Sequence, residues 1–195
     1  MSSVLATAIA GLGSGEAAER ERAAAEIYAA GREPAEAAVQ IWWTDEELSK
    51  LLLGKARELT VGLAVQRETF ARIRTANSVA RMAEVPSEQD AEEFELHFSG
   101  GIALDILTSR APGGDGAIAK HLAKFGEGVQ QVEFRCLNVD RATEILKEKF
   151  KIGPIYPETR AGADGTRVNF FLVPMPGKGK ILIELYKPAS EPQQK

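Results

Sequence analysis

Residues 116–136 read GAIAKHLAKFGEGVQQVEFRC, and this stretch decides the fold class. Its first part has a helical pattern that Asp115 can cap and Gly126 can end, because Asp favours the N-cap position and Gly readily follows a helix end. Residues 129–136 then alternate polar and apolar side chains, which is typical of a strand. The stretch therefore predicts a short helix that leads into a strand with one apolar and one polar face.

The predicted strand separates two sets of side chains, because successive residues of a strand point to opposite sides of the sheet. We expect the apolar set to contact helices and the polar set to line the opposite, concave side. The apolar set is Val132, Phe134 and Cys136, and the polar set is Gln131, Glu133 and Arg135.

The succession of a strand, a helix and further strands occurs twice. The first copy has a strand over 60–65, a helix over 67–77 and hairpin strands over 94–98 and 102–107. The second copy has a strand over 129–136, a helix over 140–150 that Asp140 caps, and paired strands over 168–173 and 180–186. Asp105 and Glu184 are carboxylates in matching aliphatic surroundings of the two copies, which predicts two similar halves.

A three-residue loop over 99–101 joins the two hairpin strands of the first copy. Its length predicts a register in which Glu95 lies opposite Asp105, and His97 then shares their face. A two-residue turn would shift this register.

Residues 16–53 favour helices, because Ala, Glu, Arg and Leu lose little conformational freedom on entering one. We expect Gly31 to end one helix and Pro34 to open the next. Thr44 and Glu47 have the spacing of a capping box, which predicts the start of a third helix.

Two adjacent tryptophans, Trp42 and Trp43, lie in this region and cannot both point inward from one helix face. One interpretation is that one of them packs the helical layer against the rest of the protein, since burial is the commoner use of Trp. The alternative is an exposed anchor for a protein partner.

The composition argues against some partners and locations. The chain of 195 residues has a net charge of −4 and no run of basic residues, whereas nucleic-acid binding needs clustered Lys and Arg. Residues 1–13 have no basic leader and are too short to span a bilayer, so we expect neither a signal peptide nor a membrane anchor. The single Cys136 cannot form an internal disulfide, which favours a reducing compartment, the cytoplasm.

The second half carries three motifs that are specific when taken together: residues 118–120 followed by 126–128, the loop 162–165, and the strand 181–185. In these motifs the chain resembles the methylmalonyl-CoA epimerases of the vicinal oxygen chelate (glyoxalase and bleomycin-resistance) superfamily. The resemblance is close over 115–188 and looser over 60–107. It implies an α+β fold in which paired βαβββ modules form a curved mixed sheet with a concave cavity, preceded by a small helical N-terminal region.

The resemblance also predicts the domain organisation. We expect a helical N-terminal region over 1–56 and a vicinal oxygen chelate domain over 57–190, followed by a disordered tail over 191–195. The domain would contain modules over about 57–110 and 127–188, joined by a helix over 115–125.

As the resemblance implies, four strand positions would hold a divalent metal through two histidines, a glutamine or glutamate, and a glutamate. Here these positions carry Thr60, Asp105, Gln131 and Glu184, so both histidines are replaced. Imidazole suits cobalt, zinc and nickel, whereas Asp105, Gln131 and Glu184 offer oxygen donors that favour at most a weak Mg²⁺ or Ca²⁺ site. We therefore expect no resident cofactor.

The epimerase reaction that the resemblance implies needs two bases on opposite faces of the acidic carbon. Glu184 could supply one base and Glu88 the other. The predicted substrate pocket comprises Thr60, Glu95, His97, Asp105, Gln131, Glu133 and Arg135. Within it, Glu133 and Arg135 could hold a charged ligand between them or form an internal ion pair that fills the cavity.

Three functions are compatible with this pattern. The favoured one is a protein with a degenerate metal site that binds a small organic acid or acyl compound in the concave cavity. The second is an active epimerase, isomerase or lyase related to methylmalonyl-CoA epimerase, and the third is an interaction scaffold that uses the N-terminal helices. The sequence leaves open whether the chain is an enzyme and whether it forms a homodimer.

Overall fold

The computed structural model of the protein describes residues 3–177 and 179–189. The tail over 191–195, predicted to be disordered, lies outside these ranges. None of the helices within them is long and apolar enough to cross a membrane.

Helices and strands alternate in the order that the repeated pattern predicts. The helices are α1 (Ser3–Leu12), α2 (Ala17–Ala38), α3 (Glu46–Leu51), α4 (Arg67–Ala76), α5 (Ala117–Phe125) and α6 (Val139–Glu148). The strands are β1 (Leu59–Ala64), β2 (Glu92–Phe98), β3 (Ile102–Thr108), β4 (Gly128–Arg135), β5 (Arg160–Ala161), β6 (Arg167–Pro174) and β7 (Lys180–Lys187).

The strands form one curled mixed sheet in the order β2-β3-β1-β4-β7-β6-β5. The two halves join where β1 and β4 pair antiparallel, with Val61 opposite Val132. Each half contains a parallel pair, β1 with β3 and β4 with β7, which antiparallel strands extend. The predicted α+β fold with a curved mixed sheet and a helical N-terminal region is therefore confirmed.

The two halves differ in their number of strands. Among the described residues the first half contributes β1, β2 and β3, whereas the second contributes four strands in the predicted βαβββ order. Residues 78–91 occupy the chain between α4 and β2, where a further strand would be expected. The Ala83 N–H donates to the carbonyl of Glu93 at 3.0 Å, so this stretch follows the edge of β2 without becoming a strand of its own.

The register predicted for the first hairpin is confirmed. Glu95 lies opposite Asp105, and a 3₁₀ turn over Ser99–Gly101 joins the two strands. Gly100 and Gly101 both have a φ of +75°, a conformation that glycine adopts without the steric cost that a side chain would incur.

The helix α2 passes through both positions at which a boundary was predicted. Gly31 does not end a helix and Pro34 does not open one, because both lie inside the 22 residues of α2. The reason is tertiary: α2 lies against β1, and a Cβ on Gly31 would be 2.6 Å from Cγ1 of Val61. Gly31 therefore allows the close approach of helix and sheet, and burial of the helix outweighs the local preference of Pro34.

Three predicted helix caps are replaced by neighbouring residues. Asp45, rather than Thr44, caps α3 and accepts from the backbone N–H of Leu48 at 2.9 Å. Asn138, rather than Asp140, caps α6 in the same way. The N-cap of α5 is Gly116, which has no side chain to offer, so Asp115 does not cap that helix, although Gly126 ends it as predicted. Each observed N-cap lies one or two residues from the predicted one, and sequence patterns do not locate helix ends more precisely than this.

The N-terminal helices share the main apolar core. Trp42 is fully buried in the same cluster as Phe134 of β4, and the half-buried Trp43 has its ring centroid 6.4 Å from that of Phe134. This agrees with the packing interpretation of the two tryptophans and leaves Trp42 inaccessible to a partner. The division into a region over 1–56 and a domain over 57–190 stays a prediction.

The two edges of the curled sheet are joined by residues 81–90, which we call the closing segment. Although β2 and β5 lie at opposite edges, the N–H of Glu84 donates to Oδ1 of Asp164 and the N–H of Asp164 donates to the carbonyl of Glu84, both at 3.0 Å. Arg81 adds an ion pair to Asp164 at 2.8 Å, and Nε2 of Gln89 donates to the carbonyl of Ala161 at 2.8 Å. The concave face is therefore enclosed by a ring of sheet and closing segment.

Candidate carboxyl site on the concave face

The concave face of the sheet carries the polar side chains that the strand pattern assigned to it. Gly62 of β1 marks this face, because a Cβ there would be 2.6 Å from Cγ of Gln131 and 3.3 Å from Cδ1 of Leu107. The missing side chain of Gly62 leaves the space in which Gln131 lies.

Gln131 connects two carboxyl groups. Its Nε2 donates to Oε2 of Glu184 at 2.7 Å and to Oε1 of Glu133 at 3.0 Å. Glu133 and Glu184 are neighbours in the parallel pair of β4 and β7, so the amide lies over the line at which these strands meet. Both N–H groups of the amide are used in holding the two carboxyls.

Four acids form what we call the carboxyl cluster: Glu93, Asp105, Glu133 and Glu184. Asp105 and Glu184 are only 9% and 8% exposed, and burial followed by the neighbouring acids raises the pKa of both well above the usual value. Burial also raises the pKa of Glu133 to about 8 and that of Glu93 to about 7. The cluster therefore retains protons at neutral pH instead of carrying four negative charges.

Thr60 faces the cluster from β1. It lies opposite Glu133 in the register of β1 and β4 and is 4% exposed. Within the described part of the chain its hydroxyl has no hydrogen-bond partner. Thr60, Asp105, Gln131 and Glu184 thus lie on the same face of adjoining strands, and their assignment to the four metal positions stays a prediction.

The remaining predicted pocket residues lie nearer the rim. Glu95 is exposed, and its Oε2 is 3.2 Å from Nε2 of His97, whose side chain is 69% exposed. Arg135 pairs with Glu58 at 2.8 Å, and Glu133 is held by Gln131. Among the described residues there is no ion pair between Glu133 and Arg135, so the predicted internal pair does not fill the cavity.

Glu88, the predicted second base, is exposed in the closing segment. Glu93 is the member of the cluster that the sequence reasoning missed. The predicted strand began at residue 94, whereas β2 begins at Glu92. Extending the alternation of Glu95 back by two residues would have placed Glu93 on the same face.

The residues at the four aligned positions do not suit a transition metal. They offer no imidazole nitrogen, and the amide of Gln131 presents its N–H groups, not its oxygen, to the neighbouring carboxyls. The described ranges contain no group of three or more His, Cys, Asp or Glu residues that could hold a metal ion.

No protein-family model matches the chain, and no curated protein matches it. Solved structures do match. The methylmalonyl-CoA epimerase from Mycobacterium tuberculosis is 27% identical with a TM-score of 0.54, over 68% of this chain and 87% of that one.

Two ligand complexes are similar to the same extent. A variant of the Streptomyces coelicolor methylmalonyl-CoA epimerase in complex with 2-nitronate-propionyl-CoA is 27% identical with a TM-score of 0.52, over 67% of this chain and 96% of that one. A methylmalonyl-CoA epimerase in complex with methylmalonyl-CoA and NH4+ is 28% identical with a TM-score of 0.52, over 67% and 93%.

A hypothetical protein from Bacillus halodurans is similar in fold alone, at 20% identity and a TM-score of 0.55 over 71% of this chain and 99% of that one. The sheet order and these likenesses together show that the chain has the vicinal oxygen chelate fold, with methylmalonyl-CoA epimerases among its structural neighbours.

Proposed function

We propose that the chain is a vicinal oxygen chelate protein whose metal site is degenerate and which binds a small organic acid or acyl compound on its concave face. The observation that carries this proposal is the bridge from Gln131 to Glu133 and Glu184. Gln131 and Glu184, two of the four positions that would have to face a metal as oxygen donors, are instead hydrogen-bonded to each other, with the amide N–H donating to the carboxyl. Acyl thioesters are the first ligands to consider, because two structural neighbours hold acyl-CoA compounds.

Protonation makes the cluster compatible with such a ligand. A protonated carboxyl of Glu133 or Glu184 donates a hydrogen bond to a carbonyl or carboxylate oxygen, whereas two bare carboxylates would repel it. The unpartnered hydroxyl of Thr60 supplies a further donor on the same face. We therefore expect binding to weaken as the pH rises through the pKa of Glu133, about 8.

The second candidate is an active epimerase, isomerase or lyase, which the raised pKa values favour. A carboxyl group whose pKa is near the working pH can both accept and return a proton. In an epimerase, ionised Glu184 would remove the proton next to the acyl carbonyl, and a protonated neighbour would donate a hydrogen bond to the enolate oxygen. A second acid, Glu88 or Glu133, would return a proton to the opposite face of the carbon.

The two candidates are separated by one set of measurements. We expect methylmalonyl-CoA or a related acyl-CoA to raise the melting temperature of chelator-treated protein at pH 6.5, because a ligand that binds the folded state stabilises it. Proton NMR in D₂O then reports whether the proton next to the carbonyl exchanges. Binding without exchange identifies a binding protein, and exchange that Glu184→Gln abolishes identifies an enzyme.

The matched control is Glu148→Gln, which removes an exposed carboxylate from α6. It should leave both binding and exchange unchanged. If no acyl compound shifts the melting temperature, or if Glu184→Gln binds as well as the unmodified protein, the proposal is wrong.

Location and assembly are proposed from the sequence and the burial of Trp42. We propose a cytoplasmic protein because the chain has a single cysteine, Cys136, and therefore no internal disulfide, which is typical of reducing compartments. A homodimer is also proposed, and light scattering of the purified chain tests it. An interaction scaffold is disfavoured, because Trp42 lies in the core.

A further inference from the structure

A second concavity lies on the other side of the sheet from the carboxyl cluster. It has a volume of about 490 Å³ and lies between α4, the turn that follows α4, and the start of β2. We call it the α4 groove, and its lining consists of Arg67, Phe70, Ala71, Arg74, Thr75, Ser78, Val79, Ala80 and Glu92. Its volume falls within the roughly 300–1,000 Å³ that is typical of small-molecule sites.

The α4 groove is positively charged in a protein whose net charge is −4. Its charged lining residues are two arginines, Arg67 and Arg74, and one carboxylate, Glu92. Arg67 is partly neutralised by Glu92, whose Oε2 is 3.2 Å from its Nη2. Within the described ranges Arg74 has no carboxylate partner, so its charge remains uncompensated in the groove.

Arg74 is held in place by the backbone. Its Nε donates to the carbonyl of Val79 at 3.0 Å and its Nη2 to the carbonyl of Ala80 at 3.1 Å. These two bonds use one edge of the guanidinium and fix its plane, while the Nη1 edge makes no hydrogen bond to a described residue. A guanidinium that is already ordered loses little freedom when it binds a carboxylate or phosphate.

The surrounding side chains complete a site for an anion with an apolar part. Thr75 and Ser78 contribute hydroxyls, and neither side chain has a hydrogen-bond partner in the described part of the chain. Phe70 and Val79 contribute apolar surface. The groove thus combines one preorganised cation, free hydroxyls and an apolar wall, and the sequence reasoning assigned none of these residues.

We propose that the α4 groove binds a small-molecule anion whose phosphate or carboxylate pairs with Arg74 and whose apolar part lies against Phe70 and Val79. This site is separate from the concave face. Glu92, which lines the groove, and Glu93, which belongs to the carboxyl cluster, are consecutive residues of β2 and therefore point to opposite sides of the sheet.

The test uses the whole chain and three probes that distinguish the sources of the anion. Inorganic phosphate reports charge alone, AMP adds a flat apolar body to a phosphate, and hexanoate adds an apolar tail to a carboxylate. We expect AMP or hexanoate to raise the melting temperature more than phosphate does at the same concentration, with a shift that grows as the logarithm of the ligand concentration above its Kd. Isothermal titration then gives the affinity.

The diagnostic variant is Ala71→Glu. Ala71 is exposed on α4, four residues after Arg67 and three before Arg74, so a carboxylate there pairs with both arginines and occupies the groove. We expect its affinity for the anion to fall at least about tenfold, the factor that corresponds to the loss of one charge-assisted contact. Ala25→Glu, on the exposed side of α2, adds the same charge elsewhere and should keep the affinity.

Thr75→Glu provides a second test if Ala71→Glu does not fold, because Thr75 is exposed and lines the same groove. Binding that both groove variants lose and that Ala25→Glu and Glu184→Gln keep supports the proposal. The proposal is overturned if none of the three anions shifts the melting temperature, or if the groove variants bind as tightly as the unmodified chain. Loss in Glu184→Gln would instead place the anion on the concave face.

Discussion

Gln131 is the residue on which the candidate site depends. Among the described residues its amide is the only hydrogen-bond donor to both Glu133 and Glu184, at 3.0 and 2.7 Å. Burying a carboxyl costs free energy because the group loses its hydrogen bonds to water. When the carboxyl loses its protein donor, nothing offsets this cost. The proposed function of the concave face and the stability of the fold are therefore both expected to depend on this side chain.

Replacement of Gln131 by Leu tests this dependence. We expect the free energy of unfolding to fall by about 1–3 kcal/mol, because the substitution leaves two buried carboxyls without their donor. Urea denaturation followed by circular dichroism measures the change. The control is Gln130→Leu: Gln130 is half-buried on the same strand and its Oε1 has no partner in the described structure, so its loss should cost little. Equal losses in both variants would contradict the bridging role.

The alternation of side chains along a strand predicts which residues of that strand share a face, but it does not predict their contacts with other segments. Gln131 and Glu133 are two residues apart on one strand, so their shared face is predictable from the sequence. The partner of Arg135 is Glu58, 77 residues away, and no local pattern connects them. Gly62 was missed for the same reason, since its role is to leave space for Gln131 from another strand.

At the scale of elements, the hairpin was predictable and the long helix was not. Loop length alone gave the pairing of Glu95 with Asp105. In contrast, Gly31 and Pro34 are local signals for a helix boundary, and their helix continues because it packs on the sheet. A local signal for a helix boundary involves only a few neighbouring residues. Whether α2 continues past that signal depends on its packing against β1, about 30 residues later in the chain.

The close packing of α2 on β1 can be tested with Gly31→Ala. On an isolated helix this change would be stabilising by about 1 kcal/mol. Here we expect a lower melting temperature, because the added Cβ would be 2.6 Å from Cγ1 of Val61. Thermal denaturation measures the sign. A second variant, Gly31→Ala with Val61→Ala, should recover part of the loss by making room, and a higher melting temperature for Gly31→Ala alone would show that the contact relaxes without cost.

At the scale of the whole molecule, the carboxyl cluster links stability to pH. The pKa of Glu133 is raised by burial from 4.5 to about 8 and that of Glu93 to about 7, so the folded chain holds more protons than the unfolded chain between pH 4.5 and 8. Stability then falls as the pH rises through this window. We expect the free energy of unfolding to drop by about 1–3 kcal/mol between pH 6 and pH 8.5.

Urea denaturation at a series of pH values measures this drop. Glu133→Gln, which cannot ionise, should flatten the dependence, whereas Glu148→Gln, at an exposed site, should not. Stability that is constant or rises with pH across this window would show that the cluster is ionised in the folded protein.

The concave face is enclosed because the closing segment joins the two edges of the sheet into a ring. Asp164 holds three contacts across it: Arg81 at 2.8 Å, the N–H of Glu84 at 3.0 Å, and its own N–H to the carbonyl of Glu84 at 3.0 Å. Asp164→Ala removes the two side-chain contacts and keeps the backbone one. Arg110 holds the later part of the closing segment by donating to the carbonyls of Val85 and Gln89, whereas Asp164 holds its start. We therefore expect residues 81–84 to exchange amide hydrogens at least about tenfold faster, a change of about 1.4 kcal/mol in local opening. Hydrogen exchange followed by mass spectrometry resolves this segment from the sheet.

Asp115→Ala, which removes an exposed carboxylate 3.5 Å from Lys120, serves as the control and should leave the segment unchanged. If ligand entry requires the ring to open, Asp164→Ala should also accelerate both association and dissociation of an acyl-CoA ligand while its Kd changes less than either rate. Unchanged exchange in residues 81–84 would mean that the backbone bond to Asp164 and the bond from Gln89 to Ala161 are sufficient to keep the ring closed.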